Sequence, residues 1–347
     1  MRKVKPIIML SLSLCITVSC FASESLCNTY KGIPKDKSVT AGMVLIKGGT
    51  FIMGNNKGHK DKTTGNHEPF LEERYEHQVV LDDFWIDKHE VTNAQFTKFV
   101  DATGYVTLVE RKPKKEWFPA NFPEEKIIAG SAVFFSPKKI SSLNNITQWW
   151  QFIPGANWRQ PQGLGSTIND KMNHPVVHIA YEDALAYAQW MGHTLPTEAQ
   201  WEYAAKGDLS KQPYTWGNTY KVNGKFMANT WQGKFPLNNT KEDGYIGTAP
   251  VGCFHANGYG LFDMAGNVWE IVKDNYKHRH PRNKTKNPIG PLRSFDPRDP
   301  DTSKHVIKGG SYLCTPMYCM RYRPSARQGQ DDTLGTSHIG FRTVFNQ

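Results

Sequence analysis

Apolar and polar positions alternate over short distances along most of this chain. Met43-Val-Leu-Ile46 followed by Gly48-Gly49 predicts a strand running into a turn, and Thr50–Met53 a second short strand. Val79–Ile86 alternates and is aromatic, which predicts one further strand. The pattern then changes to a helical period. Thr92-Asn-Ala-Gln95 is a capping box: the threonine accepts from a first-turn amide and Gln95 reaches back. Phe96, Phe99 and Val100 follow on one face, and Gly104 ends the helix. Glu182–Met191, carrying Ala184, Ala188 and Trp190, predicts a second helix. Thr197-Glu-Ala-Gln200 is another capping box and opens a third, through Tyr203, Ala204 and Ala205 to Gly207. Residues 105–172 carry no sustained period and read as long and irregular. Beyond 210, frequent Gly, Asn and Pro predict turns joined by strands of a few residues. There is no repeat and no linker, so residues 43–347 read as a single α+β domain behind a polar lead-in, 23–42.

Composition narrows the class. The 347 residues, 39% hydrophobic with 10 Trp, are ample for a packed core. The net charge of +10 is scattered, with local density at 111–115 and 278–286. No nucleic-acid motif accompanies it, so no nucleic-acid partner is expected. Arg2, Lys3 and Lys5 precede an apolar run, Ile7–Val18, and Cys20-Phe21-Ala22 is a tolerable cleavage site. Residues 1–22 therefore read as an export signal, and the chain as periplasmic or secreted. Lipid attachment at Cys20, after Thr17-Val18-Ser19, is the alternative. The apolar run is too short for a membrane span of about 18 residues or more, and no other stretch approaches that length.

Cys15 and Cys20 belong to the leader, which leaves Cys27, Cys253, Cys314 and Cys319. The last two lie five positions apart in Val306–Met320, VIKGGSYLCTPMYCM. A straight strand would hold them roughly 16 Å apart. Pro316 fixes its own φ and biases Thr315 away from helix, which suits a turn that brings the thiols face to face. The pair is then either a lone disulfide or a working thiol pair, and two thiolates form a soft site that selects Cu(I) or zinc.

An ordered set of segments carries a family resemblance. It comprises Met43–Gly54, Glu90-Val-Thr-Asn93, His174-Pro-Val-Val177, Leu195-Pro-Thr-Glu-Ala-Gln-Trp-Glu202, Trp216-Gly217, Asn257-Gly-Tyr-Gly-Leu261, Gly266-Asn-Val-Trp-Glu270, Gly309-Gly-Ser311 and Gly340-Phe-Arg342. Together they resemble the formylglycine-generating enzyme (sulfatase-modifying factor) family. The resemblance implies a single C-type-lectin-like α+β domain with little regular secondary structure. It also implies a copper-dependent oxidase that uses O₂ to convert a cysteine in an unfolded sulfatase segment, Cys-x-Pro-x-Arg, to Cα-formylglycine. Cys314 and Cys319 match the family's Cu(I) ligands, and Ser311 the serine beside them. Glu90, Trp149, Tyr318 and His338 match positions facing the client. Two structural Ca²⁺ sites are implied, one at Asn229, Thr230, Asp243 and Tyr245, the other at Asp263, Gly266, Val268 and Glu270.

Some positions depart from the family pattern. An acidic position for the client's arginine is replaced near Gly130-Ser131, and His338 stands where the family has Asn. Pro324 and Thr343 stand where vertebrate-type members have cysteines, and Cys253 is expected to be unpaired. The alternatives are a related thiol oxidase acting on another protein client, or a non-catalytic binding module of the same fold.

Overall fold

The computed structural model describes residues 30–34, 37–60, 65–209 and 211–346. The proposed leader, Cys20 and Cys27 lie outside them. No helix among the described residues is long and apolar enough to cross a membrane.

The core is built where the sequence reads as turns. Trp269–Asn275, Lys304–Lys308, Arg327–Asp331 and Ile339–Phe341 form a four-stranded sheet, with Trp269–Asn275 between Lys304–Lys308 and Ile339–Phe341. Ile271 pairs with Ile307 on the antiparallel side and with Phe341 on the parallel side. Three of these strands, all but Arg327–Asp331, are buried on both faces and show no alternation, so little distinguishes them from other short apolar runs. A second sheet joins the ends of the domain: Met43–Ile46 and Val344–Phe345 flank Phe84–Asp87.

Two of the helices form as their caps dictate. In Asn93–Thr103 the Gln95 amide donates to Thr92 Oγ1 at 3.2 Å, and Gly104 closes it in the left-handed region, φ 67°. Glu198–Lys206 repeats this with Thr197 and Gln200. Phe96 and Phe99 pack edge-on to Phe341 and Tyr187, joining the first helix to Tyr181–Trp190 and the sheet. Ala184 and Ala188 of that helix are buried, and Trp190 is exposed.

Two expectations are corrected. The strand over 79–86 is two strands, His77–Leu81 and Phe84–Asp87, parted at Asp82-Asp83, where Asp83 caps the Gly48 amide at 2.8 Å. The irregular stretch 105–172 contains a hairpin, Gly130–Phe134 with Trp150–Pro154. Its outer strand is largely exposed and lacks clean alternation, which hid it.

Candidate active site

The turn after Lys304–Lys308 holds the cysteine pair. Gly309 and Gly310 have φ of 89° and 71°, and a Cβ on Gly310 would meet the backbone of Arg321 at 2.9 Å. Glycine is therefore required for the chain to double back on itself. The amides of Tyr318, Cys319 and Met320 all point at the Thr315 carbonyl, each at 3.2 Å. This tight turn brings the Cys314 and Cys319 Cα atoms to 4.7 Å, and the sulfurs are joined as a disulfide.

The pair lies in a cleft of about 340 Å³. Ser311, Tyr318 and His338 line it, and Trp150, Phe235 and Arg321 complete much of its wall. Ser311 is fully buried, and its Oγ accepts from the Leu313 amide at 3.3 Å. Tyr318 stacks on Phe235 with centroids 4.3 Å apart. His338 lies against Trp150 at 4.7 Å, and its Nδ1 shares a hydrogen bond with Thr336 Oγ1 at 2.7 Å. Burial, with His178 nearby, pushes the His338 imidazole down to about 3, so it is neutral.

Glu90 and Trp149 do not line this cleft. Trp149 is fully buried among Trp231, Phe235, Tyr312 and Leu313, behind Tyr318. Its neighbour Trp150 takes the cleft position. Alternation along an extended segment puts one of two adjacent tryptophans inward, and the sequence alone does not say which. Glu90 is fully buried elsewhere. Arg321 was not singled out from sequence; its Nη2 donates to Glu72 at 2.6 Å, a pairing across 249 positions with no local signal.

A family model for the sulfatase-modifying factor enzyme 1-like domain matches residues 30–347. The chain is 44% identical over 303 residues to a formylglycine-generating enzyme of Mycobacterium tuberculosis, covering 87% of this chain and 97% of that protein. It belongs to the sulfatase-modifying factor family. The mouse formylglycine-generating enzyme is 40% identical, over 86% of this chain and 74% of that one. Another mouse relative, 35% identical over 86% of this chain and 84% of its own, is named an inactive Cα-formylglycine-generating enzyme 2. Among solved structures, PvdO from Pseudomonas aeruginosa shares the fold: TM-score 0.54 and 21% identity, over 90% of this chain and 98% of that one.

In this family member, Glu90 sits in a buried acidic pocket. Arg342 grips Glu270 with two hydrogen bonds of 2.6 Å, and Trp201 Nε1 donates to Glu270 at 2.7 Å. Three N–H donors thus meet the Glu270 carboxylate from within the protein, two on Oε2 and one on Oε1. Asp263 Oδ2 accepts from the Gly252 amide at 2.6 Å, and Glu90 Oε1 from Asn267 Nδ2 at 3.0 Å. Asp263 Oδ1 and Glu90 Oε2 are buried and have no hydrogen-bond partner. Burial first, then the neighbouring carboxylates, push Glu90 well above its usual range. Burial raises Asp263 to about 6.

The other predicted oxygen cluster is differently filled. Asp243 accepts from the amides of Thr230 and Tyr245, each at 3.0 Å, and from Gln232 Nε2 at 2.8 Å. The Asn229 amide group donates to Gly247 O at 2.9 Å. Nearby, Cys253 is disulfide-bonded, which corrects the expectation that it is unpaired. Cysteines distant in sequence carry no signal of how they pair.

Proposed function

We propose that this chain oxidises a cysteine of an unfolded sulfatase segment to Cα-formylglycine. One observation carries the reading: Cys314 and Cys319, side by side, line a cleft walled by aromatic side chains together with Ser311, His338 and Arg321. The family also has a member named inactive, so membership alone does not decide activity.

In the reduced form the two sulfurs fit a soft monovalent ion such as Cu(I), which prefers thiolates at low coordination number. When bound there, copper supplies the redox chemistry with O₂ and a coordination position for the client's thiol. The chain's own residues hold the client. Tyr318, Phe235 and Trp150 form walls that grip an extended segment and exclude water. Ser311 spends an oxygen lone pair on the Leu313 amide, which leaves its hydroxyl hydrogen to donate. His338, being neutral, offers a hydrogen bond without charge.

Calcium is supported at one of the two clusters. Glu90, Asp263 and Glu270 set three carboxylates against the single charge of Arg342. The two unpartnered oxygens supply hard ligands, and a divalent cation balances the remaining charge. This assigns Glu90 to the cation in place of the client, and Glu270 to Arg342. Asp243 already has three N–H donors and supports a bound cation less.

Among the described residues no carboxylate lines the cleft, and Arg321 holds the adjacent Glu72. This favours a second reading of the client, in which the motif arginine is dispensable. Mass spectrometry of a Cys-x-Pro-x-Arg peptide incubated with the protein, Cu(I) and O₂ should show cysteine converted to aldehyde. An unchanged peptide, with O₂ consumed when another thiol is supplied, would overturn the sulfatase assignment. The same peptide with arginine replaced by alanine should react within a few-fold, and failure there restores the arginine requirement.

A further inference from the structure

Between Trp269–Asn275 and Lys304–Lys308 the chain makes a long excursion, residues 276–295. It holds six cations, Lys277, Arg279, Arg282, Lys284, Lys286 and Arg293, and no Asp or Glu. All six are exposed. Three apolar side chains on the limb that returns to the body are exposed: Leu292 by 93%, Ile289 by 69% and, at the root, Phe295 by 50%.

The excursion is tied to the body along its length. Its roots meet where the Phe295 amide donates to Tyr276 O at 2.7 Å. Thr285–Lys286 lies parallel to Val79–Val80, and Lys286 Nζ meets Asp82 at 3.0 Å. The Asn287 amide donates to Val80 O at 2.9 Å. Asn275 Nδ2 holds the Pro291 and Leu292 carbonyls at 3.1 and 3.3 Å. The backbone beneath Ile289 and Leu292 is therefore fastened, and their outward projection is a property of the fold.

Exposed apolar side chains in water cost hydration free energy, and when they cluster they mark a surface that something covers. A protein partner would match them with a shaped apolar face. A bilayer requires less: a few apolar side chains that enter the acyl boundary, and flanking cations for anionic headgroups. Lysine and arginine suit this because their stems lie along apolar surface while their charges stay in water. We propose that residues 276–295 are a peripheral docking loop for an anionic lipid bilayer, with Ile289 and Leu292 inserted and the cations other than the Asp82-paired Lys286 on phosphate headgroups. The contact is reversible, since two side chains and a basic patch fall far short of a spanning helix.

Hydrogen exchange on the full chain tests this at the loop itself, whatever residues 1–29 contribute to vesicle affinity. With vesicles of equimolar phosphatidylcholine and phosphatidylglycerol, the amides of residues 286–295 should exchange about tenfold more slowly. Pure phosphatidylcholine vesicles should give no such protection, and molar salt should remove it. The double variant Ile289→Ser/Leu292→Ser should lose the protection, as should Lys284→Glu/Arg293→Glu. Equal protection by neutral vesicles, or none by anionic ones, overturns the proposal. So does protection by dextran sulfate together with an undiminished vesicle effect in the serine variant, because the loop would then be a polyanion surface.

Discussion

The reaction cleft and the acidic pocket around Arg342 are built in opposite ways. The cleft centres on one short turn, Gly309 to Cys319, and opens to solvent. The acidic pocket gathers Glu90, Asp263, Glu270 and Arg342 from across the chain and buries all four. Among the described residues that line the cleft, the paired Arg321 is the one charged side chain. In the pocket, charge is concentrated and incompletely balanced. The lesson is that one region is arranged for a visitor and the other for a resident. Chemistry at the cleft should be easy to abolish without unfolding the protein, whereas changes in the pocket should reach stability first.

The largest effect expected is on that cleft. Cys314→Ser or Cys319→Ser should reduce peptide conversion on the order of a thousandfold or more, while far-ultraviolet circular dichroism remains unchanged. A variant that keeps full turnover would remove the thiol pair from the mechanism. Replacing Arg342 by Met is the counterpart in the pocket. It leaves Glu270 and its neighbours buried without their cation, which should cost about 3–5 kcal/mol in urea unfolding. A loss below about 1 kcal/mol would mean that these acids are already neutral or otherwise paired.

Adjacent tryptophans sharpen the contrast within a single dipeptide. Trp149→Ala empties a core position and should cost about 3–5 kcal/mol of stability. Trp150→Ala sits on the cleft wall and should raise KM with little change in melting temperature. The opposite assignment of the two phenotypes would return Trp149 to the client-facing role that sequence similarity suggests.

That dipeptide also shows how far sequence reading reaches. The cysteine turn was legible because its chemistry is local: two glycines, a Thr-Pro step and two thiols within eleven residues. The capping boxes at Thr92 and Thr197 were legible for the same reason. The inward choice of Trp149 depends on pairing with Gly130–Phe134, which no local period specifies. The grip of Arg342 on Glu270, and of Arg321 on Glu72, is a tertiary fact. Resemblance placed Glu270 among calcium ligands; only the fold reveals that Arg342 and Trp201 also donate to its oxygens. The central sheet was missed because fully buried strands lose the alternation that identifies half-buried ones.

The smallest effect expected distinguishes a resident cation from a resident proton. Asp263 has a folded pKa raised to about 6 by burial, and burial with the neighbouring carboxylates holds Glu90 well above its usual range. A carboxyl raised in the fold holds its proton where the unfolded chain has released it, so without metal, stability should fall as pH rises from about 4 through 6. A bound divalent cation takes the proton's place on Asp263 Oδ1 and Glu90 Oε2, and should oppose that loss. Calcium should therefore raise the melting temperature more at pH 7.5 than at pH 5, with a gain of up to about 2.7 kcal/mol at a hundredfold excess over Kd. Asp263→Asn should shrink both the pH slope and the calcium increment. Buried histidines lowered in the fold, among them His178 at about 4, give the reverse slope, with stability lost as pH falls below about 6.5. Measuring the calcium increment as a difference at each pH cancels that background. An increment that is flat with pH, or unchanged in Asp263→Asn, would place the cation elsewhere and leave the two orphaned oxygens to protons.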